Sequence, residues 1–184
     1  MQRIQSIDPQ HAKGQAGQLL ASVQQAFGVI PNVAKVMANS PPVLESFLAL
    51  STAMGRAAIG PKLHHQIKLA ASESNACSYC TSILCATGPT AGLTAADLVE
   101  GRSAAAGDAR TDAALKFAKA VLETRGKLSD DDLRAVRAAG FGDGEIVEIV
   151  ASVVAGCFTN FLNNMAQTTL DIPEAPPLLA GAAA

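Results

Sequence analysis

Cys77 and Cys80 stand two residues apart in the segment SNACSYCTSILCATG, and Cys85 follows five residues after the second. A Cys-x-x-Cys pair at the start of a helix places its thiols where backbone N–H groups and the helix dipole favour the thiolate, the form that attacks. One helical turn between them lets the two side chains close a reversible disulfide with little backbone movement. The same pair has two other readings, as part of a metal site or as sulfur buried like any small apolar group. A closed tetrahedral site needs two further ligands at ordered spacing, and only Cys85, Cys157, His64 and His65 remain, irregularly placed. Neither a metal nor a cofactor is expected, and the spacing favours a redox dithiol.

The neighbouring chemistry-bearing residues are fewer. His64 points about 100° around the helix from His65 and reads as a surface residue. Glu73, one turn before Cys77, reads as a solvated charge, with orientation of a water as its functional alternative. Cys85 is offset around the helix from Cys80 and reads as a core thiol, with thiol exchange as the alternative.

The elements that must hold these residues are helices. Alanine and leucine are frequent, β-branched runs are scarce, and apolar residues recur three and four apart. Pro41-Pro42 opens one helix and Pro61 the next, which carries His64 and His65; Gly55 to Gly60 separates them. Thr94 and Ser129 read as N-caps, and Gly126 as a helix end. The longest helix is expected from Asp143 to about Thr168, with Ile146, Val150, Val153, Cys157, Phe161 and Met165 on a broad buried face. Residues 1–14 read as an N-terminal arm, 15–173 as one all-α domain and 174–184 as a tail. A faint echo at an offset of 80 aligns ASESNACSYC with ASVVAGCFTN, setting Cys77 over Cys157, as a duplicated helical hairpin or chance would.

A chain of 184 residues, 49% of them apolar, can bury one substantial core. The net charge of −2 and the short mixed cluster from Lys62 to Lys68 give no surface for tracking phosphates, so nucleic acid is not an expected partner. The N-terminal segment MQRIQSIDPQHAKGQ has no apolar signal core, and the longest apolar run, Ile149 to Phe158, is shorter than a membrane span needs. A cytoplasmic, soluble protein is expected, in which four cysteines point to catalytic sulfur rather than a disulfide framework.

The run HHQIKLAASESNACSYCTSILCATG followed by LTAADL, with the lead-in FGVIPNVAKVMANSPPVLESFLAL and the ending NFLNNMAQTTLDIP, resembles the alkylhydroperoxidase D-like proteins of the carboxymuconolactone decarboxylase superfamily over residues 25–173. The resemblance implies an all-helical bundle and a homo-oligomer, whether dimer, trimer or hexamer. It further implies hydroperoxide reduction by a dithiol, with Cys80 attacking, Cys77 resolving and a thiol or dithiol donor restoring the pair. Generic dithiol chemistry would make the N-terminal Cys77 the nucleophile instead. Phe27, Ile30 and Val33 are expected under a neighbouring subunit.

Two positions depart from the family pattern. Family members place a glutamate twelve residues before the first cysteine and a histidine four after the second, a relay that removes the thiol proton. This chain has His65 and Leu84 there. An imidazole with the ordinary pKa near 6.5 can accept that proton, so His65 is the expected base, with a polar residue on a partly exposed helix face as the alternative, and turnover is expected to be weak. A histidine at position 84 would restore the relay if the helix phase set it beside Cys80. Two alternatives stand: a lyase of the same superfamily, which acts on a muconolactone without a dithiol, and a non-catalytic oligomer binding a small apolar ligand.

Overall fold

The computed structural model describes residues 1–178; the rest of the expected tail lies outside the described residues. Among the described residues there is no strand, and the chain runs through nine α-helices: α1 (Gly14–Phe27), α2 (Asn32–Met37), α3 (Pro41–Met54), α4 (Gly60–Ser74), α5 (Ser78–Thr87), α6 (Ala95–Ser103), α7 (Ala109–Thr124), α8 (Asp130–Ala138) and α9 (Asp143–Ala166). Local signals set their ends. Proline occupies the first turn of α3 and α4, where its missing N–H costs nothing. Thr94 and Ser129 cap α6 and α8 through reciprocal bonds with Asp97 and Asp132. Helix α7 ends at Thr124, and Arg125 and Gly126 follow with positive φ.

Helix α4 is the hub, packed by α5, α6, α7 and α9. Two of these neighbours approach its backbone at glycines. A Cβ on Gly156 of α9 would lie 2.8 Å from the Ala71 Cβ, and one on Gly101 of α6 would lie 3.0 Å from the Gln66 Cα. Only glycine permits so close a crossing, which brings α9 polar groups within reach of the end of α4.

The buried apolar residues form two main cores and a small satellite. One core joins Leu63 and Ile67 of α4 to Leu115 and Phe117 of α7, Val136 of α8 and Ile149 of α9. The other joins Leu20 of α1, Met37 of α2 and Leu44 of α3 to Cys77, Tyr79 and Cys80. The dithiol is therefore part of a core. Val33 belongs to it as well, at 6% exposure, and packs within its own chain, whereas Phe27 is exposed.

Helix α9 differs from its expected face. Its buried line runs through Ile146, Ile149, Ser152, Val153, Gly156, Asn160 and Asn163, while Phe161 and Met165 are exposed at 61% and 51%. Hydrophobicity misplaces the face because small and polar residues pack against α4 and the dithiol. The helix is long and apolar enough to cross a membrane by composition, yet a third of that stretch is buried against the rest of the chain. The echo with Cys77 is not a second hairpin: the chain breaks at 75–77 and continues as unbroken helix at 155–157. The segment before α1 is tied down, with the Arg3 N–H donating to the Ala166 carbonyl at 2.7 Å and that of Ile7 to Lys35 at 3.0 Å.

Candidate active site

The break between α4 and α5 places the dithiol. The Cys77 N–H donates to the Ser72 carbonyl at 2.9 Å and the Ala76 N–H to that of Glu73 at 3.0 Å, closing α4 with a Schellman pair. Ala76 takes the left-handed conformation at φ 49°, where a Cβ costs about 1 kcal/mol relative to glycine. Cys77 then sits at the N-cap of α5, and Cys80 lies in the first turn. Tyr79 between them is a staple: its hydroxyl donates to the Asp171 carboxylate at 2.8 Å and accepts from the Val33 N–H at 3.1 Å. Asp171 also accepts from the Asn32 N–H at 2.7 Å, so one buried phenol joins α5, the start of α2 and the C-terminal segment. Burial pushes the Tyr79 pKa up and keeps it a neutral donor.

Both thiols are free and nearly inaccessible, at 1% and 3% exposure for Cys77 and Cys80. They hydrogen-bond to one another and share their ionisation unequally. The Cys77 S–H donates to Cys80, which lowers the Cys80 pKa to about 6 against the opposing effect of burial; hydrogen bonds from Asn163, Asn160 and Thr159 lower it further. Cys77 moves the other way, pushed up first by that same hydrogen bond and then by desolvation. One proton is thus held between two sulfurs, with Cys80 as the thiolate at neutral pH. The asymmetry makes Cys80 the more acidic thiol of the two.

The other groups that hold the thiolate come from a remote helix. The Asn163 Nδ2 donates to the Cys80 Sγ at 3.2 Å. Its Oδ1 is buried and has no partner among the described residues. Asn75 donates to the Asn160 Oδ1 at 3.0 Å and to the Cys157 Sγ at 3.5 Å, and Asn160 donates to the Ser72 Oγ at 3.0 Å. Sequence reasoning missed Asn160 and Asn163, although the asparagines of NFLNN, on an otherwise apolar helix, were the signal. It also missed Lys68. This amine makes no hydrogen bond or ion pair among the described residues, and its charge acts on both histidines and on Cys80. Desolvation lowers its pKa, while the Cys80 charge pulls it back up.

His65 is buried, and its Nε2–H donates to the Leu84 carbonyl at 2.7 Å, which leaves Nδ1 as the nitrogen able to accept a proton. No hydrogen bond joins it to either sulfur among the described residues. Desolvation lowers its pKa to about 4, so the imidazole is neutral across the range where an unperturbed one would titrate. Contrary to the surface reading, His64 turns inward to Ser152, 2.8 Å from Nδ1 to Oγ, and desolvation takes its pKa to about 3. Leu84 packs with Leu69 and Leu93 in the satellite cluster, so a histidine there would replace leucine packing. Cys85 borders the same cluster, its pKa raised by desolvation. Glu73 is no solvated charge: it pairs with Arg102 of α6.

No family model and no curated protein matches the chain. Solved structures do. An uncharacterised peroxidase-related protein from Ralstonia eutropha JMP134, described as an alkylhydroperoxidase AhpD core, is similar at a TM-score of 0.80 and 22% identity, with 92% of each chain covered. A peroxidase-related protein from Silicibacter sp. TM1040 gives 0.74 and 22%, covering 89% of this chain and 90% of the other. A cysteine-to-alanine variant of the debrominase Bmp8, in complex with 2,3,4-tribromopyrrole, gives 0.77 and 17%, with 91% of each covered. The all-α architecture is thus that of the alkylhydroperoxidase D-like core, the fold expected from the sequence resemblance.

Proposed function

We propose that the chain is a cytoplasmic thiol-dependent oxidoreductase that reduces hydroperoxides through Cys80 and Cys77 and works as a homo-oligomer. The observation that carries this reading is the unequal thiol pair, with Cys80 held as thiolate by the Cys77 S–H and the Asn163 amide. The Cys80 sulfur attacks the peroxide, its S–O bond forms as the O–O bond breaks, and the leaving alkoxide takes a proton to become the alcohol. Cys77 then attacks the sulfenic sulfur, giving the disulfide and water. The unpartnered Asn163 Oδ1 is an acceptor for the O–H of the peroxide or sulfenic acid beside Cys80. Neutral His65, through Nδ1, is the base nearest to the expected relay position. The exposed Val147, Val154, Phe161 and Met165 give α9 an apolar outer face suited to a second copy.

Stopped-flow consumption of peroxide by the pre-reduced protein, with mass mapping of the oxidised product, tests the proposal. A stoichiometric Cys77–Cys80 disulfide is expected, and peroxide left unconsumed with both thiols free refutes it. A bromopyrrole in place of peroxide asks whether the dithiol shares the debrominase's chemistry.

A further inference from the structure

A cavity of about 200 Å3 lies between α4, α5, α6 and the C-terminal segment, and the peroxide chemistry does not use it. Cys77 forms part of its wall and Cys80 does not. The rest of the wall mixes Ala76 and Ala175 with Ser78, Thr81, Ser82 and the Glu73–Arg102 pair. The Arg102 side chain is 10% exposed. It gives Nε to Glu73 and Nη1 to the Pro176 carbonyl at 2.8 Å, which leaves Nη2 without a partner among the described residues. Glu73 likewise keeps Oε2. The Ala175 N–H donates to the Ser82 Oγ at 2.9 Å, so the C-terminal segment roofs the cavity and leaves a mouth at exposed Ala76 and Ser78.

We propose that this cavity seats the electron donor, a low-molecular-weight aminothiol bearing a carboxylate, of the size and charge of L-cysteine, which reduces the disulfide by attacking Cys77. The inference rests on the dithiol reading above and names its reductant. Size, charge and the position of Cys77 in the wall all point the same way. At about 30 Å3 per water, the volume holds roughly seven water-sized groups, enough for an amino acid and too few for a protein loop. A guanidinium N–H and a carboxylate oxygen, side by side and both without a partner among the described residues, match a zwitterion's carboxylate and ammonium.

The direction of attack follows from the leaving group. In thiol–disulfide exchange the better leaving sulfur is the one of lower pKa, here Cys80. The donor thiolate forms an S–S bond to Cys77 as the Cys77–Cys80 bond breaks, and Cys80 departs as thiolate onto the Asn163 amide. A second donor thiolate attacks the donor sulfur of the mixed disulfide, releasing the donor disulfide and Cys77, which takes a proton. Two thiols lose two electrons and the protein disulfide gains them.

The test uses the full chain oxidised with diamide, its Cys77–Cys80 bond verified by mass. Reduction is followed by rapid quench and alkylation with L-cysteine, cysteamine, 3-mercaptopropionate and 2-mercaptoethanol, compared at equal thiolate concentration. L-Cysteine is expected to saturate and to exceed 2-mercaptoethanol about a hundredfold, roughly tenfold for each of two charge-assisted hydrogen bonds. The two donors lacking one charge should fall between. Arg102→Gln should remove the advantage of the carboxylate-bearing thiols, and the wild-type series carries the test even if that variant misfolds. In Cys80→Ser, L-cystine should cysteinylate Cys77. Rates that follow thiolate concentration alone, saturation only with a thioredoxin-type protein dithiol, or no cysteinylation of Cys77 overturn the proposal. A chain that leaves peroxide untouched but is reduced selectively by L-cysteine loses the peroxidase reading and keeps this one; failure to form the disulfide with diamide overturns both.

Discussion

Replacing Asn163 with leucine keeps the branching of the side chain and removes both its N–H donor to Cys80 and its orphaned Oδ1. A hydrogen bond to a charged group contributes about 1.5 to 3 kcal/mol. Since about 1.36 kcal/mol corresponds to one pKa unit, losing that bond should move the Cys80 pKa from about 6 to between about 7 and 8. At pH 7 the thiolate fraction then falls from about nine-tenths to between about a half and a tenth. Stability should respond differently. A buried acceptor with no partner costs about 1 to 3 kcal/mol, so its removal offsets much of the lost bond and Tm should change by only a few degrees. The assay is ultraviolet thiolate absorbance against pH in a Cys85→Ser, Cys157→Ser background, with Tm measured on the same samples. A thiolate midpoint unmoved by Asn163→Leu, in a protein that still melts cooperatively, would refute the assignment of Asn163 as the group that holds the thiolate.

Other outcomes follow from the same geometry. His65→Gln should lower the peroxide rate without changing its pH profile between about 6 and 7.5, because an imidazole with a pKa of about 4 does not titrate there; an unchanged rate would make His65 a packing residue. His64 and His65 are both held neutral, with folded pKa values of about 3 and 4 below the unfolded 6.5. Their contribution is complete above about pH 6.5 and disappears as pH falls through those values, on the order of 3 kcal/mol each, so denaturant midpoints measured down to pH 4 should drop steeply and drop less in a His64→Gln, His65→Gln protein. Phe161→Glu on the exposed face of α9 should shift light-scattering mass toward the monomer at micromolar concentration, and an unchanged mass would place the interface elsewhere.

The helical scheme and the dithiol were legible in the sequence because both are written locally. Pro41, Pro61, Thr94 and Ser129 act within a turn of their own positions, and the Cys77–Cys80 spacing is itself the geometry of one helical turn. Local pattern could not say which cysteine carries the charge. That depends on the hydrogen bond from Cys77 and then on Asn163, 83 positions away from Cys80, brought in by a close crossing of α4 and α9 that Gly156 permits. The same distance in sequence hid the burial of His64, which reaches Ser152 across 88 positions, and the pairing of Glu73 with Arg102 across 29. It also misled the reading of α9: hydrophobicity alone assigned Phe161 to the interior, whereas the interior there takes the small and polar side chains that α4 and the sulfur require. Hydrogen bonding and desolvation are properties of the assembled site, so the residue types near Cys77 and Cys80 set which chemistry is available, and the packing of α9 on α4 decided which sulfur is poised to perform it.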